Sequence, residues 1–136
     1  MDPATRVLVV ANRTADSAEL HEQLLARHRV SGIRVTLLAP AVWEIEDPRG
    51  GRESALRRLQ SAKKRLQESG IDVSCVLGDP DPMTAFEQEW KRQDYDEVVV
   101  STLGGRLSKW LRIDLPRRIE RAAAGVPITH VVATGA

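Results

Sequence analysis

The sequence predicts an α/β domain in which a parallel β-sheet has helices on both faces. Short apolar runs rich in β-branched residues, such as 7–11 and 98–100, show no polar alternation, which is typical of strands buried on both faces. Amphipathic segments separate these runs, and glycine- or proline-containing turns occur between them. The order is therefore β-α-β-α-β-α-β-α-β, which implies parallel strands joined by right-handed crossovers.

Each element has a local signal. The predicted strands span 7–11, 33–39, 71–77, 97–102 and 128–134, and the predicted helices span 16–28, 53–69, 82 onward and 107–124. Asp16 with Glu19 three residues later indicates the N-cap of the first helix. Asp81 and Pro82 are typical of the cap and the first position of the third helix.

Apolar residues recur at helical spacing on two of these helices, so those of each helix are expected to share a face, and we assign the second stripe to the core. The first stripe is Leu56, Leu59, Ala62 and Leu66, and the second is Met83, Phe86 and Trp90. The basic residues at 57–65 are interpreted as a solvated face, because Glu53 and Glu68 flank them and no aromatic residue interleaves. An alternative is an RNA-associated regulator that uses this basic helix.

Composition limits the classes of function. A chain of 136 residues fits one domain over 1–136, and 20 basic against 19 acidic residues do not indicate DNA or a membrane surface as a partner. The single cysteine, Cys75, excludes an intrachain disulfide and is expected to be a buried, inert thiol within an apolar strand. The chain shows neither a leader-like segment nor an apolar run near the ~20 residues of a membrane span, so we expect a cytoplasmic protein.

Loops that could hold a ligand are expected at one edge of the sheet, because open parallel sheets bind ligands beyond the carboxyl ends of their strands. These loops are 12–15, 78–81 and 101–105. The last one brings together two hydroxyls, two glycines and the basic residues that follow: Ser101, Thr102, Gly104, Gly105, Arg106, Lys109 and Arg112. Glycine lets backbone approach a ligand and loop N–H groups can hold anions, although ordinary turns account for the glycines as well.

Three segments together resemble the universal stress protein family, over essentially the whole chain. Residues 76–83 match its glycine-x-proline turn with Gly78 and Pro80, 98–104 match its small-residue loop, and 125–132 match its proline and last strand. The resemblance implies a three-layer α/β/α sandwich of the adenine nucleotide alpha hydrolase-like type. It also implies a five-stranded parallel sheet in the order 3-2-1-4-5 and dimerisation through the last strand.

The nucleotide-binding pattern of that family is only partly present. ATP-binding members resemble one another in a motif of glycine, two residues, glycine, nine residues, then glycine and serine or threonine. Laid on this chain, the motif falls on Ser101, Gly104, Asp114 and Leu115, so only Gly104 matches. The aspartate that ends the first strand in that family, and helps to hold adenosine, corresponds to Asn12.

Asp114 is the departure with the largest expected effect. With Pro116 two residues later, it indicates a new helix start, where its carboxylate would accept the N–H bonds that phosphates otherwise take. Two like charges ~4 Å apart repel by about 4 kcal/mol at an effective dielectric of 20, which is on the order of a thousandfold in affinity. Arg106, Lys109 and Arg112 either offset this repulsion or form a solvated face that pairs with Asp114, and we prefer the second interpretation.

Catalytic and metal-binding groups are not indicated. The three histidines, His21, His28 and His130, lack ligand spacing. Asp79 and Asp81 are accounted for as residues of a turn and of a helix cap, and no serine lies in a nucleophile elbow. We therefore assign neither a catalytic residue nor a metal ligand and expect a protein without enzyme activity.

The last predicted strand is expected to be an edge that a second copy covers. Its residues Thr129, His130, Val131 and Val132 carry little charge to keep another strand away. Pairing with its symmetry mate would bury this edge in an isologous homodimer. In the alternative, Trp110 or the end of the chain covers it.

Two functions follow from these expectations. The first is a non-enzymatic, dimeric stress-response or interaction module without tight ATP binding and without a cofactor. The alternative is an adenine-nucleotide-binding protein that holds ATP or AMP with magnesium through the Asn12, Gly78 and Gly104 loops, with slow hydrolysis or none.

Overall fold

A computed structural model describes residues 4–41, 51–103 and 109–133 of the chain. Its helices and strands follow the predicted order and are β1 (Thr5–Val10), α1 (Ala18–Val30), β2 (Ile33–Pro40), α2 (Gly51–Glu68), β3 (Asp72–Gly78), α3 (Pro82–Arg92), β4 (Glu97–Leu103), α4 (Lys109–Ala122) and β5 (Ile128–Ala133). In that part of the chain, every helix is too short or too polar to cross a membrane.

The five strands form one parallel sheet in the order β3-β2-β1-β4-β5, which confirms the predicted strand order. The central strand β1 pairs with β2 on one side, where Val7 lies opposite Val35, and with β4 on the other, where Val7 lies opposite Glu97. The strand order therefore reverses between β1 and β4. This reversal is the topological switch point, where open α/β sheets bind their ligands.

Alternate residues of the strands point to opposite faces, and each face is covered by two helices. Val7 and Val9 of β1 belong to one buried cluster together with residues of α1 and α2, namely Leu20, Leu24, Leu59 and Leu66. Leu8 and Val10 belong to a second cluster with residues of α3 and α4, namely Met83, Phe86, Leu115 and Ile119. These two clusters confirm the three-layer α/β/α sandwich.

The predicted apolar stripe of α3 is confirmed, and that of α2 needs one correction. Met83 and Phe86 are buried, and the Trp90 ring stacks on Phe86 with centroids 5.4 Å apart. On α2, Leu56 is 43% exposed, so the prediction that it shares a face with Leu59, Ala62 and Leu66 was wrong. Ala55 takes the inward position instead, because the buried face of α2 repeats at Ala55, Leu59, Ala62 and Leu66.

The predicted start of α3 is confirmed, whereas that of α1 is off by one residue. Asp81 accepts from the Thr84 backbone N–H at 2.9 Å, and Pro82 is the first helical residue. The cap of α1 is Ser17, which accepts from Leu20 N at 3.2 Å. Asp16 lies outside the helix because two successive tight turns bring the chain from Asn12 to Ser17 before α1 begins.

The predicted helix start at Asp114 is wrong. Helix α4 runs from Lys109 to Ala122 without interruption, so Asp114 and Pro116 both lie inside it. A proline within a helix removes one backbone hydrogen bond and strains the preceding turn, yet this helix continues through it. An aspartate two residues before a proline is therefore not by itself a start signal in this segment.

Candidate functional site

The loop that follows β1 crosses the carboxyl edge of the sheet at the switch point. We call residues 12–16 the switch-point loop; it leads from the end of β1 to the N-cap of α1. Two backbone hydrogen bonds shape it, from Ala15 N to Asn12 O at 3.1 Å and from Ser17 N to Thr14 O at 3.0 Å. The predicted site residue Asn12 lies in this loop.

Both ends of the Asn12 side-chain amide are hydrogen-bonded to other elements. Its Nδ2 donates to the carbonyl oxygen of Pro40, at the end of β2, at 2.7 Å. Its Oδ1 accepts from a guanidinium nitrogen of Arg58, on α2, at 2.6 Å. The residue that the sequence predicts as an adenosine contact therefore joins β1, β2 and α2.

Ser101, predicted in the loop 101–105, lies within β4 near its carboxyl end, where it contacts the loop after β1. Its hydroxyl oxygen is 2.6 Å from the hydroxyl oxygen of Thr14, and either group can be the donor. Both residues are buried, at 6% and 3% exposure. Sequence reasoning missed Thr14, whose only signal was a hydroxyl residue in a loop after a buried strand.

Thr102 faces the opposite side of the sheet from Ser101, because neighbouring strand residues alternate. Its hydroxyl oxygen lies 2.7 Å from Nε2 of His130 on β5. Thr102 is buried at 8% exposure, whereas His130 is exposed. The predicted site residue Thr102 thus contacts the predicted dimer-edge residue His130.

Gly78 and Pro80 lie after β3, two strands away from β1. Gly78 lies opposite Pro40 in the sheet, and a Cβ at its position would come within 2.8 Å of Ala85 Cβ and 2.9 Å of Leu38 Cδ1. The absence of a side chain at Gly78 therefore lets α3 pack closely on the sheet. Pro80 is exposed in the turn that follows.

The two carboxylates of this turn have the structural roles that the sequence predicts. Asp79 Oδ1 accepts from Asp81 N at 2.9 Å, and Asp81 Oδ2 accepts from both the N–H and the hydroxyl of Thr84, at 2.9 and 2.6 Å. The hydrogen bond from the Thr84 hydroxyl, followed by that from its N–H, lowers the pKa of Asp81. These two aspartates therefore stabilise the start of α3.

Asp114 forms an ion pair on the surface of α4 and does not cap a helix. Its Oδ2 lies 3.7 Å from NH1 of Arg118, one turn later, and both side chains are nearly half exposed. Exposed pairs at this spacing contribute only about 0.3–0.5 kcal/mol. The predicted neighbours Gly104, Gly105 and Arg106, and the side chains of Lys109 and Arg112, lie outside the described residues.

Two arginines of the basic segment that was predicted to be a solvated face, Arg58 and Arg65, contact the switch-point loop. Arg58 contacts Asn12, and Arg65 donates from NH1 to the carbonyl oxygen of Asp16 at 2.8 Å. Arg58 and Arg65 are seven positions apart and so lie on one side of the helix. Burial, followed by the charge of Arg65, lowers the pKa of the neighbouring His21.

A second polar cluster lies under α3. Glu89, only 2% exposed, accepts from the Tyr95 hydroxyl and from Gln93 Nε2, and its other oxygen lies 3.6 Å from Nε of Arg92. Burial, followed by the hydrogen bond to Glu89, raises the pKa of Tyr95 to about 12. Sequence reasoning missed Glu89. Its only signal was its position three residues after Phe86, which places an acidic residue on the apolar face of α3.

The Cys75 thiol and the possible metal ligands show no sign of a reactive or metal-binding site in the described part of the chain. Burial raises the pKa of the Cys75 thiol, whose sulfur lies 3.6 Å from the Leu59 carbonyl oxygen. The thiol is partly rather than fully buried. Over the described ranges, the His, Cys, Asp and Glu side chains form no group of three placed to hold a metal ion.

The predicted dimer edge is strand β5, which pairs with β4 along its length. Val132 is 41% exposed and His130 is exposed, whereas Thr129 and Val131 are partly buried. The Trp110 side chain and residues 134–136, named above as alternative covers for this edge, lie outside the described part of the chain.

A comparison of the chain with models of known protein families gives no match, and a search of curated proteins gives none either. The resemblance to universal stress proteins therefore stays a prediction, while the strand order that it implied is confirmed.

Proposed function

We propose that this chain is a non-enzymatic domain similar to universal stress proteins, which acts as a homodimeric interaction or stress-response module and does not bind ATP tightly. One observation carries the proposal: polar side chains at the switch point are hydrogen-bonded to one another. Asn12 bonds to Pro40 and Arg58, and Thr14 bonds to Ser101.

A nucleotide that bound to the side chains of Asn12, Thr14 or Ser101 would have to replace these contacts. Each net hydrogen bond contributes about 0.5–1.5 kcal/mol to the folded state, and a buried group that loses its partner costs about 1–3 kcal/mol. Ligand contacts with Asn12 and Ser101 would therefore mostly exchange one hydrogen bond for another. This exchange replaces the charge of Asp114 as the reason to expect weak ATP binding.

Three aspartates that the sequence analysis considered also support a non-enzymatic role. A general base needs a carboxylate or imidazole within reach of a substrate. Asp79 and Asp81 accept hydrogen bonds at the start of α3, and Asp114 pairs with Arg118. Each of these carboxylates has a structural partner in the fold.

The edge of β5 supports the homodimer. Val98 N donates to the carbonyl oxygen of Pro127, so the backbone groups of Thr129 and Val131 also face β4. Those of the alternate residues His130 and Val132 then face the outer edge of the sheet. A second copy could pair there through main-chain hydrogen bonds and cover the Val132 side chain.

Isothermal titration of the protein with ATP and magnesium tests the nucleotide part of the proposal. We expect no low-micromolar binding, and we expect AMP to bind no better. Low-micromolar binding of ATP by the unaltered protein would overturn the proposal in favour of the alternative, an adenine-nucleotide-binding protein.

Sedimentation equilibrium tests the homodimer. We expect a dimer that Val132→Lys converts to a monomer, because a charge on the edge strand opposes strand pairing. Leu56→Lys is the matched control, since Leu56 on α2 is 43% exposed against 41% for Val132. A monomeric unaltered protein, or equal effects of the two variants, would contradict the β5 interface.

A further inference from the structure

The switch-point loop is attached to three elements besides its own strand and helix. Asn12, at its start, bonds to the end of β2 and to α2. Thr14, in its middle, bonds to Ser101 of β4. The carbonyl oxygen of Asp16, at its end, accepts from Arg65 of α2. The loop therefore joins the strands on both sides of the switch point to helix α2.

The Arg58–Asn12 contact is the strongest of these attachments on physical grounds. It is a charge-assisted hydrogen bond at 2.6 Å, and Arg58 is partly buried. The bond also fixes the orientation of the amide, because Oδ1 must face the guanidinium and Nδ2 must then face Pro40 O. Arg65 is exposed and reaches only a main-chain carbonyl, so it holds the loop less specifically.

We propose that Arg58 is a latch that holds the switch-point loop closed. When Arg58 is bonded to Asn12, the amide of Asn12 and the hydroxyl of Thr14 are hydrogen-bonded to β2, β4 and α2. Without Arg58, the amide of Asn12 loses its fixed orientation and the loop opens as a unit, while the sheet beneath it stays folded. Arg58 thereby keeps closed the switch point at which the proposed function expects no tight ATP binding.

Amide hydrogen exchange tests the latch, because one amide in the loop and one immediately after it report on it directly. Ala15 N and Ser17 N are both hydrogen-bonded within this region, to Asn12 O and Thr14 O. We expect Arg58→Met to raise their exchange rates about tenfold or more, as the loss of a hydrogen bond to a charged group implies. The amide of Val9, in the buried strand β1, serves as the reference for global unfolding.

Arg57→Met is the matched control. Arg57 is the exposed neighbour of Arg58 on α2 and donates to the Ser54 hydroxyl at 3.3 Å, so its loss removes the same charge without touching the loop. We expect no change in the exchange of Ala15 and Ser17 in this variant. Equal exchange in the Arg57 and Arg58 variants, or a rise at Val9 as large as that in the loop, would overturn the latch.

A second pair of variants separates a latch from a general loss of stability. Asn12→Ala should raise loop exchange at least as much as Arg58→Met, because it removes the bond to Pro40 O as well as the contact with Arg58. Adding Arg58→Met to Asn12→Ala should raise loop exchange no further, because their shared contact is already lost. If the increases in exchange rate of the two single variants multiplied in the double variant, the two side chains would act independently, which would contradict the proposal. Nucleotide titration of the same proteins is a separate readout: tight ATP binding by the unaltered protein would overturn the proposed function without affecting the exchange result.

Discussion

The hydroxyl oxygens of Thr14 and Ser101 lie 2.6 Å apart, although the two residues are separated by 87 positions in the sequence. Both side chains are almost completely buried. The contact joins the loop after β1 to the end of β4, across the point where the strand order reverses. Each hydroxyl therefore depends on the other for its hydrogen bond inside the protein.

This dependence predicts a non-additive pair of substitutions. Thr14→Val and Ser101→Ala should each lower the free energy of unfolding by about 1–3 kcal/mol, because each leaves one buried hydroxyl without its partner. The double variant should lose less than the sum of the two, since no unsatisfied hydroxyl then remains. Urea unfolding of the four proteins measures these differences, and strictly additive losses would show that the contact does not stabilise the fold.

The close packing around Gly78 predicts that adding a single methyl group there lowers the stability of the fold. Gly78→Ala would place a Cβ 2.8 Å from Ala85 Cβ and 2.9 Å from Leu38 Cδ1, so α3 or β2 must shift. We expect a loss of about 1–3 kcal/mol in the free energy of unfolding, which is typical of overpacking.

Gly32 provides the matched control for this substitution. A Cβ there would lie 4.0 Å from its nearest neighbour, His28 Cε1. Gly32→Ala should be neutral or stabilising by up to about 1 kcal/mol, because alanine restricts the unfolded chain. Thermal unfolding of both variants compares them, and equal melting temperatures would contradict the close approach at Gly78.

The cap of α3 predicts a loss of stability that depends on pH. Asp81→Ala should lower the free energy of unfolding by about 1 kcal/mol at neutral pH. The hydrogen bonds from Thr84 lower the pKa of Asp81 below its ordinary 3.8, so the carboxylate contributes stability above that value and loses it as the pH falls through the folded pKa. Asp81→Asn keeps an acceptor and should lose less. A difference between unaltered protein and Asp81→Ala that stays constant below pH 3.8 would argue against the charged cap.

Local sequence patterns predicted the helices and strands of this fold. They failed at helix starts, where more than one residue could serve as the N-cap. Apolar runs located the strands, and those of β1 and β2 lack regular polar alternation because most of their residues are buried on both faces. Asp16 and Ser17 are adjacent and both are good caps, so only the turn geometry before α1 selects Ser17. Asp114 and Pro116 resemble a helix start but lie within α4, which begins at Lys109, close to the start of the predicted helical region 107–124.

The candidate site was harder to predict because its contacts depend on tertiary packing. Sequence reasoning placed Asn12 after the first strand, whereas Ser101, which it placed in a loop, lies within β4 near its carboxyl end. It could not show that Arg58, 46 positions away, contacts Asn12, because that contact requires the orientation of α2 on the sheet. The basic pattern of α2 gives no indication which of its arginines face the loop.

Tyr95 predicts an unusual alkaline titration, and it can be followed alone because the chain has one tyrosine. Burial and then the hydrogen bond to Glu89 raise the pKa of Tyr95 from 10 to about 12. A folded pKa above the unfolded one gives stability that is complete below pH 10 and is lost as the pH rises towards 12. The ultraviolet absorbance of the phenolate should therefore show a midpoint near 12 in the folded protein and near 10 in urea. In Glu89→Gln the folded midpoint should fall, since the amide removes the negative charge beside the phenol. A folded midpoint near 10, or one unaffected by Glu89→Gln, would contradict the buried Glu89–Tyr95 contact.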